Sequence, residues 1–178
     1  VVFVGSDRAA EGELRHLADL RNGTTMWGVD LARAGGGVAR HPWVRGATAV
    51  RRWPDTIVIE VDEYRPAALL QGEGLSYVDA EGAVFLQVPT DSARAASWDL
   101  DLPVITGLDP SLRRLHPDLP GLVVGDALSL LAELDERGFV SRDRVSEVNF
   151  STSRGFTVHL VGGARVIFDL EGRERQLG

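Results

Sequence analysis

The chain has 178 residues, which suits one large domain or two small ones, and its 44 % hydrophobic content can build cores and excludes global disorder. It has no cysteine, which excludes a disulfide scaffold and a thiolate metal site without fixing the compartment, and no stretch nears the ~20 apolar residues of a membrane span. The net charge of −7 lies in the second part: residues 1–70 carry 9 arginines against 9 acids, residues 71–178 carry 10 against 17, a balance that argues against nucleic acid and reads as solubility. All 19 basic residues are arginine, a bias we ascribe to a GC-rich coding sequence rather than to phosphate binding.

The chain opens on a strand at residues 1–4. A helix follows at 9–20, with Leu14, Leu17 and Leu20 at helical spacing, and Asn22-Gly23 suits its C-terminus. Asp30 is a good N-cap for a second helix at 31–40. That helix contains Gly35-Gly36-Gly37, each costing about 1 kcal/mol against alanine, so a weak, frayed or broken helix is expected, kept by packing of Leu31, Val38 and Trp43.

Two strands come next around a Trp53-Pro54-Asp55 turn. Ala47, Ala49 and Trp53 share one face of the first, and Ile57, Ile59 and Val61 one face of the second. An extended exit runs through Glu63-Tyr64-Arg65-Pro66. From residue 71 the pattern is β-rich, with a hairpin of 75–78 and 83–88 around Asp79-Ala80-Glu81-Gly82. Residues 90–101 read as a polar loop, 102–105 as a short strand, and 109–120, with three prolines, as irregular. The best helix is 122–137, where Leu128, Leu131 and Leu134 recur beside Val124 and Ala127 and Gly138 is the stop. Strands at 145–150, 156–161 and 165–168 close the chain as a meander.

The sequence offers little chemistry. His16, His41, His116 and His159 fall in four different elements without metal-site spacing, and His41 marks a helix end. There is no nucleophile elbow and no cysteine nucleophile. Asp79 and Glu81 flank a tight turn that already explains them, and Asp62 and Glu63 point to opposite faces of a strand, so neither pair suggests acid–base work. The triple glycine lacks the strand before it and the Gly-Lys-Ser/Thr of a phosphate loop. Two glycosylation sequons, at Asn22 and Asn149, are of a kind common by chance. Trp27, Trp43, Trp53 and Trp98 are expected in core or rim packing rather than as a carbohydrate platform. What remains is binding by shape, with a sheet edge in 145–168 as the natural place for an added strand.

Four words, HPWV at 41–44, RRWPDT at 51–56, EYRPAA at 63–68 and YVDAEGAVF at 77–85, stand in the order and spacing found in the FtsQ/DivIB family of bacterial cell-division proteins, which the chain resembles. The resemblance is strong over 14–88, moderate over 102–168 and poor over 89–101. It implies an α+β chain: a POTRA domain at 1–70, two helices on a three-stranded sheet, then a mostly antiparallel β domain with one long helix at 71–178. It implies a non-enzymatic, cofactor-free adaptor that links early and late division proteins, with FtsB and FtsL as partners and the POTRA domain tied to recruitment. It also implies a membrane helix before Val1, with this region outside the cytoplasmic membrane at the septum.

Residue by residue, Arg51 matches a basic residue on the recruitment face. Arg154-Gly155-Phe156 matches a strand start where Arg154 would touch a partner and Phe156 would be a partner contact or, better, core. The family departs at the glycine run, where it normally has good helix formers. It also continues past Phe168-Asp169-Leu170 into a helix and one further strand that forms or adjoins the FtsB-binding edge, whereas this sequence stops at Gly178, after the start of that helix. The alternative is a POTRA module of an outer-membrane assembly or secretion system, which calls for tandem repeats or a barrel. A wall hydrolase or carbohydrate-binding domain would need a carboxylate or metal cluster.

Overall fold

The computed structural model describes residues 1–20, 25–89, 98 and 100–168, apart from the side chains of 112 and 113. The chain divides into two compact units, Val1–Arg65 and Pro66–Gly178.

In the first unit, β1 (Val2–Val4), α1 (Glu11–Leu17), a 3₁₀ turn (Met26–Gly28), α2 (Leu31–Val38), β2 (Val44–Arg52) and β3 (Thr56–Glu63) follow in order. The sheet order is β1-β3-β2: β1 lies parallel to β3 with Val2 opposite Val58, and β2 pairs antiparallel to β3. Alternation along β3 sends Ile57, Ile59 and Val61 to the face covered by both helices, where they bury with Leu14, Ala18, Ala34 and Val38. The helix α1 is shorter than the leucine spacing suggests, and Asp19 just beyond it has φ 50, a left-handed conformation that Asp tolerates and a helix does not. The carboxylate of Glu63, at the end of β3, accepts hydrogen bonds from Arg8 N (2.9 Å) and Ala9 N (2.8 Å), fixing the approach to α1.

The second helix is not broken. Asp30 caps it as expected, its Oδ1 accepting from Arg33 N at 3.1 Å, and the helix runs straight through the three glycines. A Cβ on Gly37 would stand 2.1 Å from the carbonyl oxygen of Leu17, and one on Gly35 3.0 Å from that of Ala47. Two of the glycines thus let α2 lie directly on α1 and β2, and the packing gained offsets their low propensity.

The tryptophans divide. Trp43 and Trp98 are half-buried, but Trp27 and Trp53 are 68 % and 72 % exposed, so the expectation of core or rim packing fails for this pair. β2 ends at Arg52, which leaves Trp53 in the turn rather than on the packed face beside Ala47 and Ala49.

The second unit has β4 (Pro66–Gln71), β5 (Leu75–Asp79), β6 (Val84–Gln87), β7 (Val104–Thr106), α3 (Pro110–Leu115), α4 (Leu119–Glu136), a 3₁₀ turn (Arg142–Arg144), β8 (Val145–Ser151), β9 (Gly155–Leu160) and β10 (Arg165–Phe168). Its seven strands lie in the order β10-β9-β8-β7-β4-β5-β6. Among the described residues only β7 runs parallel to its neighbours, β4 and β8, and the other pairs are antiparallel. The extended exit through Glu63-Tyr64-Arg65-Pro66 leads straight into β4, an inner strand that the sequence pattern did not reveal, with Pro66 at its first residue, where the missing N–H is tolerated. Residues 110–115 form a helix where an irregular stretch was expected. Pro110 stands at its first position, where no N–H is needed, and Asp109 Oδ1 accepts from Ser111 N at 2.6 Å.

One sheet face packs on α4: Leu70, Ile105, Val148, Val158, Phe150 and Phe156 meet Val124, Ala127, Leu128, Leu131 and Leu134. Gly107, at φ 90, passes so close to Phe150 that a Cβ would stand 1.9 Å from its carbonyl oxygen. The β5–β6 turn is built by Asp79, 3 % exposed, whose Oδ1 accepts from Glu81 N (3.1 Å) and Ala83 N (2.7 Å). The loop expected at 90–101 and the Asn22-Gly23 helix end lie almost wholly outside the described residues.

Candidate partner-binding surfaces

Among the described residues no group of three His, Cys, Asp or Glu could hold a metal ion. His41 is buried, its Nδ1 accepts from Trp43 N at 3.3 Å and its Nε2 lies 2.9 Å from Glu13 Oε2, so the ring links the α2 exit to α1. An open groove of about 670 Å³ beside β5 and β6 is lined by Glu73, Ser76, Val84, Gln87 and Arg114 among others, a mixed lining without a nucleophile–base arrangement.

The sheet edge at β10 has the features of a surface for main-chain recognition. β10 pairs with β9 through Arg165 opposite His159 to Phe168 opposite Phe156, and among the described residues it has no second neighbour. Its outer residues are apolar as well as open: Val166 and Ile167 are 39 % and 56 % exposed. The face away from α4 is polar here. Val104, Glu147, His159 and Arg165 form one cross-strand row, and Thr106, Asn149 and Thr157 the next, which ends on the exposed Ile167. Thr106 Oγ1 donates to Glu147 Oε1 at 2.5 Å and accepts from Asn149 Nδ2 at 2.8 Å.

Arg154 and Phe156, adjacent candidates in the sequence, occupy opposite environments. Arg154 lies exposed in the β8–β9 turn, level with the end of β10 because Phe168 pairs with Phe156. Phe156 is 3 % exposed, packed 5.4 Å from the Phe150 ring in the core. It presents no surface to a partner and can act on one only by holding β9 in place.

Arg51 is half-buried at the end of β2. Its Nε donates to Met26 O at 3.1 Å and its Nη2 to Val29 O at 2.6 Å, so the guanidinium straps the 3₁₀ turn to the sheet. It also sits 5.9 Å from the Trp27 ring centroid, and Trp27 meets Trp53 edge-on at 5.7 Å and 68°. Sequence reasoning singled out Arg51 but missed the tryptophan pair it supports. The available signal was a Trp at a hairpin turn and a second within Met26-Trp27-Gly28.

Comparison with known proteins accounts for nearly the whole chain. Residues 1–64 match the family model described as POTRA domain, FtsQ-type, and residues 67–177 that described as cell division protein FtsQ/DivIB, C-terminal. A cell division protein FtsQ of Syntrophotalea carbinolica is 32 % identical over 160 residues, 89 % of this chain and 55 % of the relative. That of Anaeromyxobacter sp. is 32 % identical over 177 residues, 99 % of this chain and 55 % of the relative. That of Rhodothermus marinus is 43 % identical over 86 residues, 46 % and 31 % of the two chains. The chain thus spans about half the length of the fuller of these matches.

Proposed function

The chain belongs to the FtsQ/DivIB family of cell-division proteins, and we propose that it is a non-catalytic adaptor of the division machinery, working outside the cytoplasmic membrane at the septum. In this reading a membrane helix N-terminal to Val1 anchors it, no cofactor takes part, and its partners are FtsB and FtsL. The first unit contributes recruitment and the second holds the partners.

The observation that supports the reading best is the apolar, single-sided strand β10 at the end of the second sheet. A partner segment laid along this edge, or along a strand that follows it, gains main-chain hydrogen bonds, and its alternate side chains fall on the two faces of the sheet. Arg154, beside the end of β10, would supply a charged contact that fixes register. The alternative of a POTRA module from outer-membrane assembly or secretion requires repeats or a barrel after the first unit. The match of residues 67–177 to the FtsQ/DivIB C-terminal model weighs against it.

Titrating the paired extracytoplasmic segments of FtsB and FtsL into this chain, and into one extended past Gly178 by native residues, tests the reading. Binding by the extended chain alone places the edge after Gly178, and binding by both places it at β8–β10. Binding by neither would sink the adaptor role.

A further inference from the structure

The first unit has two ends of different character. Because β1 runs parallel to β3 with Val2 opposite Val58, Val1 lies at the same end of the sheet as the β2–β3 turn, only a few residues along β3 from Pro54. That end carries the exposed Trp27–Trp53 pair, together with Val2 (47 % exposed) and Val50 (40 % exposed), which flank Val58 on the sheet face away from the helices. It also carries Arg51 and the exposed Arg52 beside Asp55, and Arg15, which donates to Val1 O at 3.0 Å and pairs with Glu11. The acids of β3, Glu60, Asp62 and Glu63, stand toward the other end, where the chain leaves the unit at Arg65.

We infer that the Trp27–Trp53 end of the first unit seats on the lipid headgroup layer of the membrane, an inference that rests on the proposed anchorage through a helix before Val1. Any chain preceding Val1 leaves from this end, so an anchor there brings the pair to the bilayer surface. Indoles with an apolar body and a polar N–H partition to that layer, and arginines beside them meet anionic headgroups. The geometry disfavours a sugar ligand. Stacking on a pyranose needs an open ring face, but Trp27 has the Arg51 guanidinium 5.9 Å from its centroid, and the two indoles stand at 68° rather than as one platform. Seating here also leaves the far end of the unit, where the chain continues, turned away from the membrane.

The test tethers the chain at Val1, through an N-terminal histidine tag, to nickel-chelating vesicles of phosphatidylethanolamine and phosphatidylglycerol, and measures tryptophan emission with and without brominated lipid. The expected result is a blue shift and a loss of emission on bromination, with both changes absent from Trp27→Phe/Trp53→Phe, which keeps Trp43 and Trp98. Equal quenching of parent and double variant, or none in either, overturns the inference. So does an emission change produced by soluble glycan strands while bromination has no effect. Circular dichroism of the double variant checks its fold. FtsB–FtsL titration of the same variant separates the two readings, since binding should be unchanged when only the lipid contact is lost.

Discussion

Gly37 lies against the carbonyl oxygen of Leu17 so closely that a Cβ on it would stand 2.1 Å away, while Gly36, one residue earlier on the same helix, faces open space. Neighbouring substitutions should therefore act in opposite directions. Gly36→Ala should stabilise the first unit by about 0.5–1 kcal/mol through helix propensity. Gly37→Ala should destabilise it by about 1–3 kcal/mol, since the obstacle is backbone and cannot rotate away. Urea unfolding followed by helical circular dichroism distinguishes the two, and two changes of the same sign would refute the close-packing account.

Arg51 should behave first as a strut. Arg51→Ala removes two hydrogen bonds to the carbonyls of Met26 and Val29 and should cost about 1.5–3 kcal/mol, with faster amide exchange at the 3₁₀ turn. Arg51→Lys should recover part of the loss, because one ammonium cannot reproduce the fork. Unchanged stability in Arg51→Ala would instead leave the residue free for a contact role.

Asp79 illustrates a carboxylate spent on structure. Asp79→Ala leaves two turn N–H groups without their acceptor and should lower stability by about 1–3 kcal/mol, while Asp79→Asn keeps one oxygen and should cost less. Equilibrium unfolding of the two variants tests this, and equal losses would count against an oxygen-specific role.

Arg154→Glu makes the complementary prediction. The side chain is exposed, so stability should change by no more than about 0.5 kcal/mol. Binding of the FtsB–FtsL segments should weaken, more at low salt than at high. A variant that binds as well as the parent would remove Arg154 from the contact.

Much of the architecture follows from local pattern. The β2–β3 hairpin, the leucine spacing of α4 and the final meander all have periodicities that leave one face to bury. The failures have physical causes. The glycine run was read by propensity, whereas its meaning lies in contacts with Leu17 and Ala47, distant in sequence. Residues 109–120 read as irregular because they hold three prolines, although Pro110 occupies the first helical position, which tolerates it. β4 falls between the expected exit at 63–66 and the β-rich pattern from 71, and it stays hidden because its partners, β5 and β7, come later in the chain and pairing is not written in a strand's own residues. Of the site, Arg51, Arg154 and the meander edge stood out in the sequence. The burial of Phe156 and the meeting of Trp27 with Trp53 depend on tertiary placement, which no spacing encodes.

The central claim, that the second unit holds partner chains at its C-terminal sheet edge, is most directly tested by amide hydrogen exchange on the chain extended past Gly178, with and without the FtsB–FtsL segments. Slowed exchange in β10 or in the residues after it, with β6 at the opposite edge unaffected, is the predicted result. Protection confined to β6 or to the first unit would contradict it.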